Sequence, residues 1–135
     1  MSQKIDVTVE DFSVTKCFDS KQKTDVPKKY KPEAEKALSG VSVDPPKGKT
    51  LPPYSVTITV EITKTDKAVK AAAKIVVSTE DPYSKKDLYA GAATGSASAM
   101  TTNPTKDDVE AAMDAAMESA LKSAVKVVQD SAKKP

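Results

Sequence analysis

The sequence predicts an α+β domain: an antiparallel sheet of about four strands, one face covered by a long C-terminal helix, plus a short helix near residues 32–39. Three observations predict it. Residues 55–63 alternate apolar and polar, residues 68–79 repeat the alternation after the turn Thr65–Asp66–Lys67, and an apolar stripe at helical spacing runs from Val109 to Val128. The alternating runs are strands with one buried face, and the stripe is a helix long enough to cross them. At 135 residues the chain is a single domain, 1–135, able to bury roughly two thirds of its unfolded surface.

The first element, residues 4–16, alternates Ile5, Val7 and Val9 with Lys4, Asp6 and Thr8. The apolar parity then switches to Phe12 and Val14, which predicts a β-bulge near Glu10–Asp11. The place of this strand in the sheet is left open. Residues 19–31 are polar and Lys-rich and read as a loop. Pro32, Ala34, Ala37 and Leu38, followed by Gly40, read as the short helix, with Pro at its first position and Gly past its end. Residues 41–53 contain Pro45–Pro46 and Pro52–Pro53, an extended and stiff connection.

In the next strand Val56, Ile58, Val60 and Ile62 share one face, with Thr57, Thr59, Glu61 and Thr63 on the other. Its hairpin partner turns Val69, Ala71, Ala73, Ile75 and Val77 inward and Lys70, Lys74 and Ser78 outward. Asp81–Pro82 opens a further turn, and residues 87–100 form the third strand of a meander. That strand, LYAGAATGSASAM over 88–100, carries almost no side chain. Its more apolar face is Tyr89, Gly91, Ala93, Gly95, Ala97 and Ala99. The following helix is also built on Ala, so the two are expected to pack backbone against backbone. A strand or helix of another chain in that place is the rival explanation.

Asn103–Pro104 breaks the chain, and Thr105 with Asp108 forms a variant capping box. Val109, Ala112, Met113, Ala116, Met117, Ala120, Leu121, Ala124, Val127 and Val128 make the stripe. Asp107, Asp108 and Glu110 lie at the positive end of the helix dipole, and Lys126, Lys133 and Lys134 lie at or beyond the negative end. Glu118 and Lys122 are spaced to pair. The helix spans about 106–132, roughly 40 Å, and 133–135 is a tail.

Composition narrows function. Every basic residue is Lys; there is no Arg and no His. Without His, no side chain titrates unperturbed near neutrality. Without Arg, no planar fork clamps a phosphate or carboxylate. Both absences weigh against an enzyme and against sequence-specific nucleic-acid recognition, and a net charge of +2 adds no argument for DNA. One Cys forms no internal disulfide. Asp6, Glu10, Asp11 and Lys16 precede Cys17 without an apolar stretch, which argues against an intact signal peptide and against a lipid-bearing Cys17. The expected compartment is the periplasm or cell envelope if a leader has been removed, and the cytoplasm otherwise. No run approaches the length of a membrane-spanning helix.

Candidate chemistry is sparse, and no catalytic residue, cofactor site or metal site is expected. Ser-x-x-Lys occurs at Ser13–Lys16, Ser20–Lys23 and Ser123–Lys126, without the companion motifs of serine penicillin-binding enzymes. Cys17 has Lys16 beside it but no His to act as base. Gly91 and Gly95 match the spacing of membrane helix pairs, inside a run too short and polar for one. Asp107, Asp108 and Glu110 sit where any helix start prefers acids. The segment Lys21–Lys31 holds Lys21, Lys23, Lys28, Lys29 and Lys31 against Asp25, with Tyr30 inside. It is the candidate site for an anionic polymer or membrane surface, weighed against a solvated loop.

The order VTITVEI, VKAAAKIVVS, AGAATGSASA, VEAAMDAAMESALKSAVKVV over residues 55–130 resembles the strand–strand–helix module of bacterial envelope assembly lipoproteins, such as the curli-secretion channel component. The resemblance implies an accessory role in assembly and carries over no catalytic residues. The expected function is a non-enzymatic interaction or assembly module, acting through a sheet edge or face on another protein or on itself as a homo-oligomer. Thr57, Thr59 and Thr63, with the outward Lys of the neighbouring strand, are candidate contact surface. The alternative is binding of an anionic partner through Lys21–Lys31.

Overall fold

The computed structural model describes residues 3–44, 51–80, 86–103 and 105–133. The elements run β1 (Gln3–Lys4), β2 (Val7–Lys16), α1 (Gln22–Ser39), β3 (Ser42–Val43), β4 (Tyr54–Lys64), β5 (Ala68–Glu80), β6 (Asp87–Met100) and α2 (Lys106–Lys133). The α+β class, the four-stranded main sheet and the C-terminal helix are as the sequence predicts. The expected breaks at Pro45–Pro46, Asp81–Pro82 and Pro104 fall outside the described residues.

The main sheet has the order β2-β4-β5-β6, and β1 and β3 form a separate antiparallel pair. β4, β5 and β6 are the expected antiparallel meander, with Ile58 opposite Ile75 and Ile75 opposite Ala93. β2 differs: it pairs with β4 in parallel, Val7 opposite Tyr54 and Phe12 opposite Ile58, so the sheet is mixed. The reason lies in the connection. After β2 the chain crosses as a helix and returns to the same end of the sheet, where the Tyr54 N–H donates to Asp6 O at 2.8 Å; a crossover of this kind makes neighbouring strands parallel. The expected bulge is present as a register shift between Val9 and Asp11, with a second between Val14 and Lys16.

The expected Lys-rich loop over 19–31 and short helix over 32–39 are corrected to one helix, α1, from Gln22 to Ser39, with Pro27 and Pro32 inside it. Each Pro removes one intrahelical donor. Burial outweighs that loss: Val26, Tyr30, Ala34 and Leu38, four residues apart, are all buried, and the helix packs against β2 and the start of α2. Asp19 starts the helix, accepting from the Lys21 N–H at its Oδ1 (3.0 Å) and from the Gln22 N–H at its carbonyl oxygen (3.0 Å).

α2 begins at the expected cap. The Asp108 N–H donates to Thr105 Oγ1 at 3.3 Å, and the Thr105 N–H to Asp108 Oδ2 at 2.9 Å. Ala112, Met113, Ala116, Met117, Ala120, Ala124, Val128 and Ala132 are buried against β5 and β6. Polar clasps fix its lateral position: Tyr30 Oη donates to Asp114 Oδ1 (2.6 Å), Tyr54 Oη bonds Ser131 Oγ (3.0 Å), and Gln129 Nε2 donates to Ser42 O (3.2 Å). The core is one cluster between the helices and the inner sheet face, and no charged or polar residue among those described is fully buried in it.

Candidate functional site

The five lysines of 21–31 do not form one patch. At 100° per residue along α1, Lys21, Lys28 and Lys31 share a side, while Lys23 and Lys29 point elsewhere. Lys29 is engaged: its Nζ lies 3.4 Å from Glu110 Oε2 on α2 and 5.2 Å from the Tyr30 ring centroid. Asp25, Glu33 and Glu35 are interleaved on the same helix. Helix formation therefore spreads charges that a loop would leave free to gather.

The three Ser-x-x-Lys sites are apart from one another: the first in β2, the second entering α1, the third exposed near the end of α2. Cys17 is a half-buried free thiol just after β2. A cleft of about 480 Å³ opens between the first turns of α1 and α2, lined by Phe18, Lys21, Val26, Lys29, Val109 and Met113 among others. Gln22 Oε1 at this cleft is buried without a hydrogen-bond partner. Burial, followed by the hydrogen bond to Asp114 and the carboxylates of Asp114, Glu33 and Glu110, holds the Tyr30 phenol far above its ordinary value. That phenol is therefore a permanent donor and no acid or base near neutrality.

The outer face of the sheet carries half-buried Thr57, Thr59 and Thr63 and exposed Lys70 and Lys74, as expected, together with exposed Thr94 and Ser96. It is open to solvent, as one face of an antiparallel sheet often is, and holds a concavity of about 610 Å³ lined by Thr15, Thr59, Lys74, Thr94 and Ser96 among others.

The two edges of the sheet contrast. On β2, Glu10, Asp11 and Lys16 are exposed and two bulges interrupt the ladder. Charges and bulges are two ways in which proteins block strand edges. β6 has none of the charges: Leu88 to Met100 contains no charged residue and no Pro, and no described strand pairs with its outer side. Of the four exposed large hydrophobics among the described residues, three lie at its ends: Leu88 (47%), Tyr89 (72%) and Met100 (77%).

The inner face of β6 is occupied. Ala93 and Gly95 are buried, and the expected face holds from Gly91 to Ala99. Tyr89 departs from it. The register shifts between Val77 and Ser78, leaving Ala90 extra, so Tyr89 stands opposite Ser78 on the outer face. Gly91, next to this bulge, has φ +155°, a conformation that suits glycine. A Cβ on Gly95 would meet the Ala116 carbonyl oxygen and lie 2.6 Å from Ala120 N; at Gly91 it would lie 2.6 Å from Val127 Cγ1. The close approach predicted from the bare strand is thus made by α2. The edge status of β6 was not read from the sequence; the charge-free run from Leu88 to Met100 was the available signal.

No family model matches the sequence, and no curated protein does. Among solved structures the chain is similar to a putative lipoprotein from Caulobacter crescentus, at 12% identity and a TM-score of 0.45, over 90% of this chain and 87% of that one. Likeness at this level assigns neither a family nor an activity.

Proposed function

We propose that this chain is a non-enzymatic association module whose working surface is the outer edge of β6. One observation carries the reading: from Leu88 to Met100 the outer edge of β6 has no charge and no Pro and pairs with no described strand, and it is flanked by exposed Tyr89 and Met100, while α2 occupies only its inner face. Such an edge is a template for pairing, and a chain that blocks its other edge while leaving this one open has a use for it. The likeness of residues 55–130 to envelope assembly modules supports an accessory role in assembly at the cell envelope.

Photo-crosslinking residues placed at Thr94 and Ser96, and as controls at Glu10 and Ser13 on β2, test this in the cell that makes the protein. Adducts at Thr94 and Ser96 and none at the β2 positions are expected. No adduct at β6, or equal labelling of both edges, overturns the reading.

A further inference from the structure

Resting on that reading, we infer that the edge of β6 accepts an extended polypeptide segment, uncharged and small at alternate positions, as a fifth strand, and that it rejects β6 of a second copy. The exclusion follows from where α2 stands. Its backbone lies directly over Gly95, with Ala120 N and Ser119 Cβ 2.6 and 3.0 Å from where a Cβ would be. Paired strands lie about 4.8 Å apart, whereas packed helices need about 8–10 Å. Joining two β6 edges antiparallel would bring two copies of α2 over adjacent strands, closer than two helices can approach. A strand with no helix of its own on that face meets no such obstacle.

The same helix shapes the seat. Ala115, Ser119 and Ser123, four residues apart, are exposed on the flank of α2 opposite the one where Tyr30 of α1 reaches Asp114 and Glu110. These short side chains leave a step beside the strand edge. Side chains of the incoming strand that face the helix layer lie over this step and must be small. On the outer face, Tyr89 and Met100 stand opposite Ser78 and Ala68 of β5, one apolar group near each end of the edge. Past the bulge, Gly91–Met100 gives about 33 Å of regular strand, with roughly half its residues aiming both backbone groups at the free side. A charged incoming residue finds no counter-charge between Leu88 and Met100 and loses hydration on docking.

The probe is a dye-labelled peptide with the sequence of residues 88–100 and two lysines added at each end for solubility: the β6 strand without its helix. Titrated with the full chain and followed by fluorescence anisotropy, it is expected to bind saturably. N-methylation of alternate peptide amides should weaken binding at least tenfold, because strand addition depends on backbone donors. Ser119→Lys in the full chain should weaken it at least tenfold with an unchanged unfolding midpoint, and Ser123→Lys serves if the first variant does not fold. The full chain alone should sediment as a monomer. Absence of saturable binding, indifference to N-methylation, or a full-length dimer locked by a disulfide at Ser96→Cys in a Cys17→Ser background overturns the inference. If the Thr94 and Ser96 cross-links persist while the peptide fails, the edge engages its partner by another mode; if those cross-links are also absent, the association reading falls with it.

Discussion

At the scale of single residues, the glycines among the described residues are not equivalent. Nothing lies within 4 Å of a Cβ added at Gly40, whereas one at Gly95 meets backbone atoms of Ala116 and Ala120, which cannot rotate aside. Gly95→Ala is therefore expected to cost about 3 kcal/mol, the upper end of overpacking penalties, and Gly40→Ala less than about 0.5 kcal/mol, both measured by urea unfolding. Tyr30 makes a second residue-scale prediction. A phenol whose folded pKa lies above its unfolded value near 10 contributes fully below pH 10. That stability is lost as pH climbs past 10 toward the folded value, at about 1.4 kcal/mol per pH unit. Tyr30→Phe should cost about 1 kcal/mol at neutral pH through the lost bond to Asp114 and should show a shallower alkaline loss of stability than the parent. A parallel decline in both would show that the Tyr30 proton is not linked to folding. Gly95 could be read from the sequence, because a strand of Gly, Ala and Ser followed by an Ala-rich helix implies close contact. The Tyr30–Asp114 bond could not, because it joins residues far apart in the chain on two helices whose relative placement depends on the whole core.

At the scale of elements, periodicity was decisive where it was unbroken. β4, β5 and α2 match their expected spans within a residue or two, since their apolar residues recur at one spacing without interruption. α1 was legible only in its second half. Val26 and Tyr30 extend the stripe of Ala34 and Leu38, but Pro27, Pro32 and the surrounding lysines obscure it, and local signals do not reveal that the sheet supplies a surface to bury it on. Two predictions belong here. Replacing the exposed Pro32 by Ala restores an intrahelical donor and should stabilise the protein by about 1–3 kcal/mol in chemical unfolding; a loss would mean that the proline shapes α1 as the core requires. Thr105→Ala removes the side-chain acceptor at the start of α2 and should cost about 1 kcal/mol, with Thr105→Ser recovering most of it.

At the scale of the whole molecule, the layer arrangement was legible and the pairing of β2 was not. A run of alternating residues predicts a strand, but its partner and direction depend on the path of the intervening chain, and that path was obscured once α1 read as a loop. The parallel contact of β2 with β4 has a kinetic consequence. β4, β5, β6 and α2 are joined through neighbours in sequence, whereas β2 must wait for residues 17–53 to close a loop across the sheet, with an entropic toll. The meander and tail helix are therefore expected to form the nucleus, with β2 docking after the barrier is crossed. In stopped-flow experiments Ile75→Val should slow refolding, while Phe12→Leu should chiefly hasten unfolding; the reverse pattern would place the crossover first in the order of assembly.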